Sequence, residues 1–188
     1  LFETYPQSVQ TASQPLIATL KEKQASRLEE LEKLQSQLKR GDVAEGRALF
    51  FGKATCVGCH AVAGKGGDFG PDLSNIGEIR SRHDILEAIL YPSASFAREH
   101  ETSKIVTKNN SYLGIIKEQL PDAVMIATGP GSTIRVPRPE IVSIEPESVS
   151  MMLPRLLKPL SIQEISDLMA YLESLPNGMG QIKSHELK

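Results

Sequence analysis

The chain has 188 residues, of which 40% are hydrophobic and 23% are charged, and its formal net charge at pH 7 is −2. This composition is typical of a globular chain of one or two domains with enough apolar residues for a buried core. The nearly balanced charge gives no electrostatic case for binding nucleic acid or an anionic membrane surface, and no apolar run approaches the roughly 18 residues that span a bilayer.

The N-terminal part of the chain contains one long helical pattern. Residues 1–14 have no periodicity and are predicted to form a polar linker. Residues 15–41 are predicted to form an amphipathic helix, with Pro15 in its first turn and Gly41 at its end. This helix either connects to an upstream module, docks on a partner, or packs on its own domain. Because the chain starts at Leu1 without a leader, we expect a mature product or a piece of a longer protein.

A second helix is predicted to begin at the N-cap Asp42 and to end near Phe50. Gly46 lies inside it and weakens a helix unless another backbone must come close. The expected partner is the helix that follows Ser161 near the other end of the chain, where Ser161 and Glu164 form a capping box. We therefore expect these two helices to cross.

The sequence Cys56-Val57-Gly58-Cys59-His60 follows the second helix directly. At this spacing two thiols add to the vinyl groups of a haem, and the adjacent histidine becomes the proximal iron ligand. A bare CxxC also fits a redox dithiol, half of a zinc site or a disulfide. The chain contains only two cysteines, its other histidines stand apart, and no βαβ pattern surrounds the motif. We therefore predict one covalently bound haem c, and hence a periplasmic or otherwise extracytoplasmic location.

A further helix is predicted over residues 78–90, and the helical periodicity is lost after it. Between about residues 104 and 145, short runs of β-branched residues alternate with turn signals. These runs predict a small antiparallel meander or barrel of about five strands, at residues 105–107, 112–116, 123–128, 133–136 and 141–144.

Four segments resemble class I cytochromes c in their order along the chain. They are residues 41–50, the CVGCH motif, Gly70-Pro71-Asp72-Leu73, and the final helix at 167–172. The resemblance implies that the Pro71 carbonyl accepts the imidazole N–H of His60, and that Gly70 and Leu73 also belong to the cofactor site.

The same resemblance implies a methionine as the sixth iron ligand, shortly before the final helix. Met152 is our choice from its distance to that helix. Met151 remains an alternative, because Leu153 separates Met152 from Pro154 where the family is expected to show Met-Pro.

The fold that the resemblance implies is a mainly α class I cytochrome c fold with an inserted small antiparallel β meander or barrel, α+β overall. Residues 42–175 would form the cytochrome c domain, with the β insertion at about 104–145. Residues 176–188 would form a C-terminal tail.

A narrower resemblance is to the C-terminal haem-binding domain of large dehydrogenase-like proteins of planctomycetes and verrucomicrobia. Residues 46–50, 69–77 and 89–94, the β segment with Gly114, and the methionine before the last helix carry it. It implies electron transfer rather than catalysis by this chain. The expected partners are redox proteins, including a fused or associated sugar or alcohol dehydrogenase as donor and a downstream cytochrome or oxidase as acceptor.

A second hypothesis is a gas or redox sensor or a weak peroxidase, which would require an open or labile sixth site. His100 is the candidate for a distal residue. Its two acidic neighbours favour a solvated side chain instead.

Overall fold

The computed structural model describes residues 4–94 and 100–175. The tail predicted at 176–188, with Met179, lies outside these residues. The helices are α1 (Gln7–Gln37), α2 (Val43–Phe51), α3 (Ile76–Ile79), α4 (Arg82–Leu90) and α5 (Ile162–Glu173). The strands are β1 (Ala61–Val62), β2 (Lys65–Gly66), β3 (Thr102–Thr107), β4 (Ser111–Gln119), β5 (Ala123–Gly129), β6 (Ser132–Pro137) and β7 (Ile141–Glu147).

The chain divides into two units between Leu38 and Lys39, and α1 forms the first. The predicted start of this helix at Pro15 is wrong, because α1 begins at Gln7 and Pro15 lies inside it. Residues 7–14, part of the predicted linker, are therefore helical. Proline has no backbone N–H to donate, so α1 has one hydrogen bond fewer at this point than a regular helix.

The expected crossing of the second and last helices is confirmed, and α2 packs against α5. A Cβ added to Gly46 would lie 1.9 Å from the carbonyl oxygen of Asp167, which explains why glycine stands there. The buried Asp167 carboxylate also accepts the Asp42 N–H at 2.8 Å, while the Asp42 side chain caps α2. The last helix is therefore held to the start of α2 by both packing and hydrogen bonding.

The helix predicted over residues 78–90 is two helices in the structure. Arg80 has extended backbone angles, φ −128° and ψ 141°, and so ends α3. Ser81 then caps α4, because its hydroxyl accepts the Asp84 N–H and the Asp84 carboxylate accepts the Ser81 N–H. The local capping box outweighs the continuous apolar pattern across this boundary.

The second unit contains a five-stranded antiparallel sheet with the strand order β6-β5-β4-β3-β7. The prediction of a mainly α cytochrome fold is therefore wrong: the structure is 43% helical and 23% strand. The reason is that the segment treated as an insertion builds a core of its own. One sheet face buries Ile105, Val124, Ile126 and Val136 as a single cluster, so the sheet is a principal part of the fold.

Candidate functional site

The CVGCH segment is a tight turn in which the carbonyl of its first residue accepts hydrogen bonds from its last two residues. Cys56–Gly58 forms a single 3-10 turn, and the Cys56 carbonyl accepts the N–H groups of Cys59 and His60 at 3.1 and 3.0 Å. Thr55 enters the turn with a left-handed backbone, φ 57°. The turn thus places both thiols and the imidazole within one short, internally bonded segment.

Cys56 and Cys59 are half-buried free thiols. Burial raises the pKa of Cys56 to about 11 and also raises the pKa of Cys59. A reactive redox dithiol needs the opposite shift, because its attacking cysteine must be a thiolate near neutral pH. Among the described residues, the one group of potential metal ligands that lie close together, on α4, contains neither cysteine. These observations argue against interpreting the motif as a redox dithiol or as part of a zinc site.

The His60 ring is oriented by the backbone of Pro71. Nδ1 of His60 lies 2.8 Å from the Pro71 carbonyl oxygen, and since a carbonyl only accepts, Nδ1 must carry the proton. Nε2 then keeps its lone pair for a metal. Burial lowers the pKa of His60, an effect that the bond to Pro71 opposes, so the imidazole is neutral at pH 7.

Gly70 leaves room for this ring. A Cβ on Gly70 would lie 2.5 Å from Cε1 of His60 and 2.7 Å from Nδ1, which is closer than real Cβ contacts allow. The Gly70 N–H also donates to the Cys59 carbonyl at 2.7 Å, and the Leu73 N–H donates to the Ala61 carbonyl at 2.9 Å. The backbones of the predicted residues Gly70 and Pro71 are therefore bonded to the motif, and that of Leu73 is bonded to the residue that follows it.

The five-stranded sheet forms part of the surroundings of the motif, a contact that was not predicted from the sequence. Ile115 of β4 and Ala127 of β5 form a buried cluster with Phe69, and Cys59 and Met151 pack against that cluster. Nothing local in the sequence marks this contact, because Phe69 and Ala127 are far apart along the chain.

The two candidate methionines differ in what the structure shows of them. Met151 packs on the cluster that also contacts Cys59. Met152 is half-buried, and its N–H donates to the Ser150 hydroxyl at 3.1 Å. His100, the candidate distal residue, is half-buried just before β3. The assignment of the sixth ligand stays a prediction.

Residues 43–124 match the family model for cytochrome c. The match covers less than half of the chain; it includes the motif, Gly70, Pro71 and Leu73, and it ends before the methionine pair. It supports a c-type cytochrome domain and, in general, haem-based electron transfer with redox partners. The family implies covalently bound haem c with its iron, and the two thiols and the free Nε2 of His60 fit that group.

A comparison with curated proteins gave no match. In the part of the chain that the structure describes, every helix is too short or too polar to cross a membrane.

Proposed function

We propose that this chain is a one-electron carrier, with one haem c attached through Cys56 and Cys59 and His60 as the proximal ligand. The observation that carries the proposal is the 2.8 Å contact between His60 Nδ1 and the Pro71 carbonyl. It fixes the ring orientation and leaves Nε2 as the atom for iron, an arrangement that metal-binding histidines commonly show. A redox dithiol has no use for this contact, and a zinc site is disfavoured by its donor set, because the one group of potential metal ligands among the described residues contains neither cysteine.

The proposed sixth ligand is a methionine of the pair at 151 and 152. The distance to the last helix favours Met152, whereas the packing against the Phe69 cluster favours Met151. A thioether is a soft ligand, and histidine–methionine ligation raises the reduction potential of a haem. With both axial positions filled, no coordination site remains for a substrate or a gas.

The haem, when bound, supplies exchange of one electron between the ferric and ferrous states. The protein residues hold it and set its environment. Cys56 and Cys59 would hold it as thioethers, each by adding its S–H across a vinyl double bond. Pro71 holds the proton on His60 Nδ1, and the Phe69 cluster limits water near the cysteine turn.

We further propose that the electrons come from a sugar or alcohol dehydrogenase, fused or associated, and pass to a downstream cytochrome or oxidase. The resemblance to the haem-binding domain of dehydrogenase-like proteins supports this direction of electron transfer. The proposed location is periplasmic or otherwise extracytoplasmic, because c-type attachment occurs there. Redox partners commonly meet through small transient interfaces, so the partner surface need not be a large apolar patch.

The test is the absorption spectrum of the purified protein, oxidised and reduced, before and after carbon monoxide. We expect a low-spin spectrum with a methionine-to-iron charge-transfer band that the gas does not change. A high-spin spectrum, or a prompt shift with the gas, would refute the closed site and favour the sensor or peroxidase hypothesis.

Alanine variants then identify the ligand. Of Met151→Ala and Met152→Ala, the variant that loses the charge-transfer band and gains carbon monoxide binding names the sixth ligand. Met125→Ala, in strand β5, is the matched control and should keep the wild-type spectrum. A band that survives in both Met151 and Met152 variants would contradict methionine ligation by this pair.

A further inference from the structure

Thr102, the first residue of β3, has a side chain that the protein encloses completely, with 0% exposed. Among the described residues, its hydroxyl oxygen has no hydrogen-bond partner. Burying a hydroxyl without a partner costs free energy, and native proteins keep few such groups. The hydroxyl is therefore a candidate to bond a group that the haem-loaded protein places nearby.

The strand register shows which side of the sheet Thr102 faces. Thr102 is directly opposite Ile115 of β4, and Ile115 is directly opposite Ala127 of β5. Residues directly opposite each other in antiparallel strands project to the same face. Thr102 thus belongs to the sheet face that contains Ile115 and Ala127, rather than to the face with the Ile105 cluster.

That face contacts the candidate haem site. Phe69, the residue before Gly70, packs with Ile115 and Ala127, and Cys59 and Met151 pack against this cluster. The methionine segment therefore reaches the same face as the Thr102 hydroxyl.

Two kinds of acceptor exist in a haem site of this type, a propionate oxygen and the sulfur of the axial methionine. A propionate is charged and would lose its hydration at a fully enclosed hydroxyl. A thioether is neutral, accepts weak hydrogen bonds, and already packs on this face through Met151. The observations therefore favour the sulfur.

We propose that the Thr102 hydroxyl donates a hydrogen bond to the sulfur of the axial methionine, and so acts as a positioning residue for the sixth ligand. This inference rests on the proposed function, because it requires methionine ligation. This hydrogen bond draws electron density from the sulfur, so the sulfur donates less to ferric iron. The bond also restrains the methionine side chain. The reduction potential is raised as a result.

The experiment compares haem-loaded wild type, Thr102→Val and Thr102→Ser. Valine matches threonine in shape but has no hydroxyl, whereas serine keeps the hydroxyl. We expect Thr102→Val to shift the midpoint potential downward and to shift or weaken the methionine-to-iron band. Thr102→Ser should remain near wild type in both measurements. If Thr102→Val does not fold, Thr102→Ala against Thr102→Ser makes the same comparison.

Thr107 on the same strand offers a matched control. It is also buried, but its hydroxyl donates to the Asn110 carbonyl at 2.9 Å and accepts the Asn110 N–H at 3.0 Å. Thr107→Val should lower the stability of the hairpin and leave the potential and the band unchanged.

The outcomes separate this inference from the proposed function. A wild-type protein without the methionine band refutes both. A normal wild-type band with an unchanged potential and band in Thr102→Val refutes the role of Thr102 alone. A pH-dependent change in potential with an unchanged band identifies a haem propionate as the acceptor, and this too overturns the proposal.

Discussion

Gly70 lies against the imidazole of His60 so closely that a Cβ at position 70 would stand 2.5 Å from Cε1 of the ring. The same ring is bonded on its Nδ1 side to the carbonyl of Pro71, the next residue. Residue 70 thus restricts the position of the His60 ring by steric contact, and residue 71 does so by a hydrogen bond.

Gly70→Ala is expected to displace the His60 ring or the backbone of its own segment. Overpacking at such a contact typically costs about 1–3 kcal/mol of unfolding free energy. We expect a loss of this size in denaturant unfolding, together with a change in the haem spectrum from low to high spin. Gly129→Ala is the control, because a Cβ there meets nothing within 4 Å. Unchanged stability and spectrum in Gly70→Ala would contradict the contact.

Gly46→Ala tests the crossing of α2 and α5, because helix propensity and the crossing predict changes of opposite sign in the free energy of unfolding. Helix propensity alone predicts stabilisation by about 1 kcal/mol. The crossing predicts destabilisation by about 1–3 kcal/mol, because the new Cβ would lie 1.9 Å from the Asp167 carbonyl oxygen. We expect destabilisation in thermal or denaturant unfolding. Ala48→Gly, at an exposed position of the same helix, measures the propensity effect alone.

The hydrogen bonds of the Glu164 carboxylate lead us to expect that the stability of the protein depends on pH in the acidic range. Its hydrogen bonds with the Lys53 ammonium and the Ser161 N–H, both at 2.7 Å, lower its pKa from 4.5 to about 2. A lowered pKa in the folded state means that the stabilisation is present above pH 4.5 and is lost as the pH falls towards 2.

The measurement is the difference in unfolding midpoint between wild type and Glu164→Gln as a function of pH. We expect wild type to be the more stable protein at pH 7 and the difference to shrink below pH 4.5. Lys53→Gln should remove a part of the same pH dependence. A difference that stays constant from pH 7 to 3 would show that the Glu164 charge is not involved.

The backbone conformation of Thr55, the residue before the CVGCH motif, leads us to expect that glycine at this position stabilises the protein. Its φ of 57° and ψ of 13° lie in the left-handed region, and its side chain makes no capping bond. That conformation costs a residue with a Cβ about 1–2 kcal/mol, and the greater flexibility of unfolded glycine offsets part of the gain. Thr55→Gly should therefore raise the unfolding free energy by up to about 1 kcal/mol.

Thr55→Ala is the matched control, because alanine keeps the Cβ and should give no comparable gain. A loss of stability in Thr55→Gly would show that the threonine side chain stabilises the turn.

Several features of this protein could be read from a few neighbouring residues. Cys59 and His60 are adjacent, so covalent attachment of a haem at the cysteines would bring the imidazole close to the iron. The cap at Asp42 and the capping box of Ser161 and Glu164 each span one helical turn, and the structure contains both. Such features are predictable because the interacting groups lie within a few bonds of each other.

Other features depend on partners that are distant in sequence. The prediction of a mainly α fold, which the family resemblance implied, failed because the order of the matching segments does not report how much core a set of short strands builds once they pair. The contact of Phe69 with Ile115 and Ala127, and the enclosed Thr102 hydroxyl on the same face, arise from strand register. A shift of one residue in that register would turn Thr102 to the other face, and only the packing of the whole sheet selects between the two.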